Sequence, residues 1–430
     1  MSVFRYLLPT IAAVISFSCP SGVSAQTPDN ERDTEALREY TKSKRGISVR
    51  EKGGDLSLSG DVRFEYQNVS ETSEGVLKRG SGTGVANHSF DVEVNLALDY
   101  KTDESWGSVQ LEFDNSAGAS SVPTTQGGNG FSSVGGSGTN NNLVLKRAYA
   151  GYNFLEEDAA RVDFEVGRRQ LYDVFSSKVQ FGGVMDGAIL RYANSFESVG
   201  DFYANGGIWI VDDVVDHYAW ALELGLMDLA DSGLYAKYSY IDWDKSGRDR
   251  TGRKPGDDGI GRHWQSRNSQ LTLGYKFQPE VLRTDLTLYG AYLVNHAAKK
   301  LIKTDNKKKN KAWYLGARFG KIEYAGDWSL DLNWQHVGVN SILDQDVAGI
   351  GRGNYDRKVF SDCTDSTDSL ANTANAKGNA NYKGYAVEAL YALTDNWTWG
   401  MEYESSNSSC KKIGGRNSYH KFEVETVYSF

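Results

Sequence analysis

The last twelve residues of the chain, Tyr419 to Phe430, alternate in character with a period of two. Phe422, Val424, Thr426, Tyr428 and Phe430 form one set, and Lys421, Glu423, Glu425, Val427 and Ser429 form the other. Successive side chains of a strand point to opposite faces, so the stretch predicts a strand with one apolar, aromatic face and one mostly charged face. Against a protein core, Lys421, Glu423 and Glu425 would each need a buried partner. With the apolar face in lipid and the charged face in water no partner is required, which is the pattern of a transmembrane barrel strand. The competing reading is an edge strand of a soluble sandwich. Recurrence of the pattern along the chain weighs against it.

In the first such segment Leu56, Leu58, Gly60, Val62, Phe64 and Tyr66 alternate with Ser57, Ser59, Asp61, Arg63, Glu65 and Gln67. The second sets Phe90, Val92, Val94, Leu96, Leu98 and Tyr100 against Asp91, Glu93, Asn95, Ala97 and Asp99. About sixteen segments of this kind run from 55–69 to 419–430. Their connections alternate in kind. Those at 101–105, 230–233, 323–327 and 395–396 are short, whereas 116–142, 245–267 and 341–381 are long and polar. Aromatic residues gather near segment ends, among them Tyr100, Phe154, Trp220, Trp328 and Trp397, as membrane interfaces favour. The predicted fold is all-β: a transmembrane antiparallel β-barrel of about sixteen strands with one set of short turns and one set of long loops. A propeller would repeat blade by blade, and no such repeat is present.

Composition sharpens this at the N-terminus. Met1 to Ala25 reads as a cleaved secretory signal, with Arg5 in its basic region, Leu7 to Phe17 as its apolar core and Val23-Ser24-Ala25 before the cleavage point. Cys19 offers a lipoprotein alternative, against which Ser16 stands where an aliphatic residue is wanted. Residues 26–52 predict a short periplasmic helical lead-in: Thr27-Pro28 suits a helix start, and Glu35/Arg38 and Glu39/Lys42 are spaced as surface pairs. Residues 53–430 would be the barrel. No later apolar run is long enough for a transmembrane helix. A formal net charge of −9 argues against nucleic acid as a partner.

One internal stretch carries a resemblance. Arg161 to Gln170 ends in Gly167-Arg168-Arg169-Gln170; Phe181-Gly182-Gly183 follows within a short loop; Asp186-Gly187 then opens the next segment. With the sixteen segments and the terminal Phe430, this resembles the Gram-negative outer-membrane porins. Loop composition and the cysteines are also similar to those of porins from chlamydia-like bacteria. The resemblance implies a water-filled diffusion channel for small hydrophilic solutes and ions in the outer membrane, surrounded by lipid. It also implies a third external loop, about 171–185, folded into the barrel as a constriction. Phe430, with Tyr428, would be the end recognised by the barrel-assembly machinery. Monomer and homotrimer both stay open. The extra arginine, Arg168, and the shortness of the loop depart from the family pattern, so that the constriction is wider or another loop contributes.

Phase assigns lumenal charges. Arg147, Arg169 (or Arg168) and Arg191 fall on the inward side of consecutive segments, and the loop carries Asp173, Lys178 and Asp186. Basic wall residues opposite loop carboxylates would set a transverse field across the gap. The plainer reading is that the arginines pair with neighbours such as Asp163, Glu165 and Glu112. The rest of the inward set is mixed: Arg63, Lys237, Lys276, Arg318 and Lys421 against acids that include Asp61, Glu65, Asp91, Glu93, Glu223, Asp331, Glu388, Glu402, Glu423 and Glu425. The sign of ion selectivity does not follow from that mixture. Histidines His88, His217, His263, His296, His336 and His420 lie apart and lack metal-ligand spacing, so neither an enzyme nor a cofactor or metal is expected. An adhesin or structural surface barrel remains an alternative, given the long 341–381 stretch. Cys363 and Cys410 fall in neighbouring external loops and predict a disulfide, with free or intermolecular thiols as the alternative.

Overall fold

Alternating strands satisfy both of their faces when the sheet closes on itself, which also leaves no edge unpaired. The computed structural model describes residues 47–51, 54–83, 86–114, 142–156, 159–212, 217–243, 266–282, 284–298, 300, 307–343, 346–350, 380–412 and 415–430. The signal peptide, residues 26–46 of the lead-in and Cys363 lie outside them. Sixteen long strands form the barrel: β1 (Gly54–Ser73), β2 (His88–Lys101), β3 (Ser105–Asp114), β4 (Asn142–Glu156), β5 (Ala160–Gln170), β6 (Val184–Phe196), β7 (Gly200–Asp212), β8 (His217–Met227), β9 (Leu234–Trp243), β10 (Ser266–Phe277), β11 (Leu286–Asn295), β12 (Lys311–Gly320), β13 (Trp328–Val337), β14 (Tyr382–Ala392), β15 (Trp397–Ser408) and β16 (Asn417–Ser429). Each pairs antiparallel with the next, and each answers to one predicted segment. β16 returns to β1, from Asn417 opposite Ser73 to Ser429 opposite Asp61, and closes the ring.

The seam explains two terminal features. β16 leaves residues 54–58 of β1 uncovered on one edge, and their free backbone groups are taken up by a short strand, Ile47–Glu51, running from Ile47 opposite Leu58 to Glu51 opposite Gly54. The end of the expected helical lead-in is therefore strand, because an open edge there offers more hydrogen bonds than a lone helical turn. Phe430 then locks the closure. Its backbone N–H donates to Gly60 at 2.9 Å and its carbonyl accepts from Gly60 at 3.0 Å. Its ring lies where a Cβ on Gly60 would meet it at 2.8 Å.

Outside and inside are inverted relative to a protein folded for water. Phe64, Tyr66, Leu271, Leu273, Trp399 and Met401 are exposed on the outer wall, while Glu65, Glu93, Asp331 and Glu425 are buried on the inner one. An apolar belt around the whole outer wall is an interface with lipid. The chain is thus a transmembrane antiparallel β-barrel.

The interior is not uniform. Two apolar clusters fill part of it. One joins Phe175 and Phe181 of the segment after β5 to Met185, Trp209, Ile241 and Trp243 of the wall. The other joins Val179, Ile342, Val347 and Ile350 to Leu293, Tyr314 and Tyr382. Both depend on loop residues brought inside the barrel. Elsewhere the inner wall is charged.

Candidate functional site

The first inward loop begins where β5 ends. Gly167 has φ +135°, and a Cβ there would stand 2.2 Å from the Ala148 carbonyl oxygen, so only glycine fits. Its register neighbours are Tyr149 on β4 and Gly187 on β6, and beyond Gly187 comes Trp209 on β7. Two glycines thus sit between two large aromatics on one level of the inner wall. Residues 171–183 leave from this level and cross the barrel. The Asn205 amide donates to the Val174 carbonyl at 3.0 Å, and the Ser176 N–H donates to Glu223 on β8 at 2.9 Å. Lys237 on β9 donates to Ser176 Oγ at 2.8 Å, and Ser177 Oγ donates to Gln270 on β10 at 2.7 Å. Lys178 Nζ lies 3.3 Å from Asp331 on β13, eight strands from where the loop starts.

A second segment, from the connection after β13, meets it inside. The Gly182 N–H donates to the Asp346 carbonyl at 2.9 Å, the Ala348 N–H to the Val179 carbonyl at 3.0 Å, and the Gln180 amide to Asp346 Oδ2 at 2.9 Å. Asp346 is fully buried, and burial pushes its carboxyl up to about 8 despite the donors around it. Residues 341–343 and 346–350 thus pack against the first loop inside the barrel.

The predicted charges separate into two groups. Arg147, Arg169 and Arg191 are lumenal. Arg169 donates to Glu165 at 2.9 Å, lies 3.8 Å from Asp173 and stacks 4.1 Å above the Tyr149 ring; Arg191 lies 3.4 Å from the same Glu165. Arg147 Nε is buried without a partner among the described residues. A β-bulge in β4 inserts Lys146 beside it, and Lys146 reaches Glu112 at 2.7 Å. Arg168 and Asp186 do not join them. They face each other across β5 and β6 on the outer wall, in a two-pronged pair at 2.7 and 2.6 Å. Asp186 is therefore no lumenal counter-charge, because the glycine that follows it, Gly187, takes the inward phase. The carboxylate opposing the arginines is mainly Glu165, on their own wall. Both sequence readings of this cluster hold in part: it is lumenal, and its members pair with neighbours.

Register makes an order out of the remaining mixture. Following directly opposed residues from β10 to β16 gives Lys276, Thr287, Arg318, Asp331, Glu388, Glu402 and Glu423 on one level of the inner wall. Adjacent members are separated by one interstrand spacing, about 5 Å. Two cations thus stand at one end of an arc and four carboxylates at the other. Arg318 contacts Asp331 at 3.2 Å, where the arc changes sign. Beyond Glu423, Glu425, Glu65, Asp91 and Glu93 extend the acidic wall onto β1 and β2, relieved by Arg63, 3.5 Å from Glu425, and by Lys421, 3.0 Å from Glu423. The alternation gives each member its inward phase, but the sign-sorted arc depends on registers that no single segment encodes. Asp346, Gln180 and Lys146 were not legible at all, since two lie in loops and one is a bulge.

Histidines sit apart from this. Ser269–His296, Ser405–His420 and Ser409–His336 make side-chain contacts at 2.6, 3.0 and 2.7 Å. In the last pair His336 Nδ1 is buried without a partner among the described residues. Cys410 is buried and has no disulfide partner among the described residues.

No protein-family model matches the chain, and no curated protein matches it. Among solved structures, OprB of Pseudomonas putida at high pH aligns over 96% of this chain and 100% of its own, with 11% identity and a TM-score of 0.49. OmpF of Salmonella typhi in complex with daunomycin aligns over 89% and 100%, with 14% identity and a TM-score of 0.46. The outer membrane channel DcaP of Acinetobacter baumannii aligns over 89% and 100%, with 12% identity and a TM-score of 0.45. Likeness at this level carries nothing about function, and the barrel rests on its own strand pairing.

Proposed function

We propose that this chain is an outer-membrane porin: a water-filled channel through which small hydrophilic solutes and ions diffuse, narrowed inside by residues 171–183, 341–343 and 346–350. One observation carries the reading. A lipid-facing wall encloses an inner wall lined with charges, sorted by sign and crossed by an inward loop. A structural barrel would gain nothing from burying so many charges at the cost of their hydration. A barrel of sixteen strands is wide enough to keep them wet. Arg147, Arg169 and Arg191 line the gap from one side, with Lys178 held across it on the loop. The channel stands in the outer membrane of a Gram-negative bacterium after removal of residues 1–25. Phe430, at the seam and exposed to lipid beside Tyr428, is the end that the assembly machinery reads. Purified, heat-modifiable protein gives discrete conductance steps in a planar bilayer and sugar flux into liposomes on this reading. Folded protein with neither is an adhesin or structural barrel instead.

A further inference from the structure

Beneath the inward loop, toward the short-turn end of the barrel, a recess opens between the loop and strands β8 to β12, with about 390 Å³ of space that is continuous with the open lumen. Four of its lining side chains are cationic: Lys178 from the loop, Lys237 from β9, Lys276 from β10 and Arg318 from β12. No lining residue is acidic. Tyr235 and Tyr289 complete the walls. Each lies flat against a glycine of the neighbouring strand: Tyr235 stands where a Cβ on Gly274 would be, and Tyr289 where a Cβ on Gly316 would be. The rings are thereby held to the wall and leave the space between them open. Lys237 Nζ lies 5.6 Å from the Tyr235 ring and Lys178 Nζ 5.8 Å from the Tyr289 ring. These lysines are positioned by contacts already made, Lys237 to Ser176 and Lys178 to Asp331. Lys276 and Arg318 flank Thr287 on one level of the wall, each directly opposite it.

We propose that this cavity is a binding subsite for a small oxyanion, a phosphate or phosphate ester, on its way through the channel. The inference rests on the porin reading and adds a solute class to it. Four cations converging on one recess repel one another at a strength that low-dielectric walls increase. Asp331 and Glu223 approach the group from the wall side, where Tyr289 and Tyr203 also donate to them. The face turned to the cavity carries no carboxylate: it presents three ammonium groups, a planar guanidinium and the Thr287 hydroxyl, all able to donate. An oxyanion with several acceptor oxygens matches that set, and the guanidinium can grip two of its oxygens at once. A neutral sugar does not. Asp331, shared between Lys178 and Arg318, tethers the loop to the wall and so holds the mouth of the site together.

The test uses the full mature protein in planar bilayers with potassium chloride. Adding inorganic phosphate, or separately glycerol 3-phosphate, lowers the chloride current with saturation, while glucose at the same concentration does not. Lys276→Gln, at an exposed lumenal position, raises the half-blocking phosphate concentration about tenfold. Thr287→Glu places a carboxylate between Lys276 and Arg318 and abolishes the block while open steps remain, which keeps the test independent of any one lysine. Equal block in the wild type and both variants, or a wild type with normal steps and no block, overturns the subsite and leaves the channel standing. Absence of conductance steps in folded protein removes the channel reading, and this inference with it.

Discussion

The two sides of the barrel interior solve the same problem in opposite ways. From β6 to β13 the inner wall is covered by loop residues that bring their own apolar side chains, so Trp209, Tyr314 and Leu293 are buried in dry clusters and the charges that remain are mainly cations facing a cavity. From β15 round to β2 no described loop residue covers the wall in this way. Its acids are packed against one another and against Arg63 and Lys421. An inward-facing position can thus be satisfied by packing, by pairing or by water. Alternation decides only that it faces inward.

The largest effect should come from exchanging charge along the arc. Glu388→Gln/Glu402→Gln/Glu423→Gln should shift the reversal potential in a salt gradient toward anions, and Lys276→Gln/Arg318→Gln toward cations. Shifts of the same sign would mean that ions do not sense the arc. Next comes the arginine cluster. Arg147→Ala/Arg169→Ala/Arg191→Ala should move selectivity toward cations and weaken its dependence on salt. Arg147→Ala alone should do so with little loss of stability, whereas Arg169→Ala, which strips a charged hydrogen bond from Glu165, should cost about 1.5–3 kcal/mol in denaturant unfolding. An unchanged reversal potential in the folded triple variant would move the selectivity site elsewhere.

Gly167→Ala is a backbone test of the same boundary. A side chain at φ +135° and 2.2 Å from a carbonyl oxygen must displace Tyr149 and the start of the inward loop, at about 1–3 kcal/mol. The heat-modification midpoint should fall accordingly; an unchanged midpoint would show that the hinge relaxes freely. Asp346→Asn acts on loop docking. Because burial raises this carboxyl to about 8 from its usual 3.8, the docked loops hold a proton that undocked loops release. Docking is therefore strongest below about pH 4, weakens as pH rises and levels off above about 8. Protease sensitivity of the loops should rise across that window in the wild type and stay flat in Asp346→Asn. A matching rise in the variant would assign the effect to another group. The smallest effect concerns Cys410, fixed at the rim by Asn381, whose amide side chain accepts from its N–H at 2.7 Å and donates to its carbonyl at 3.1 Å. Peptide mapping without reductant should recover it linked to Cys363, with selectivity unaffected by reduction; two free thiols would end that pairing.

The sequence by itself determined the wall. Period-two alternation sets which side chains face lipid, and the short and long connections set which ends of the strands lie together. Closure follows because a lipid-exposed edge is too costly to leave open. It also marked Gly167, Phe181-Gly182-Gly183 and Gly187 as the frame of an inward loop. What it could not determine was anything that depends on which residues of different strands share a level. The sign-sorted arc from Lys276 to Glu423 is a product of six registers, and a one-residue slip in any of them would scatter it. Arg168 and Asp186 went to the outer wall because Gly187 took the inward phase. Asp346 gained its partner only when two loops met inside the barrel, and Lys178 only when its loop reached β13, across distances that no local pattern records. Periodicity is a local property of the chain, whereas the electrostatics of a lumen is a property of its closure.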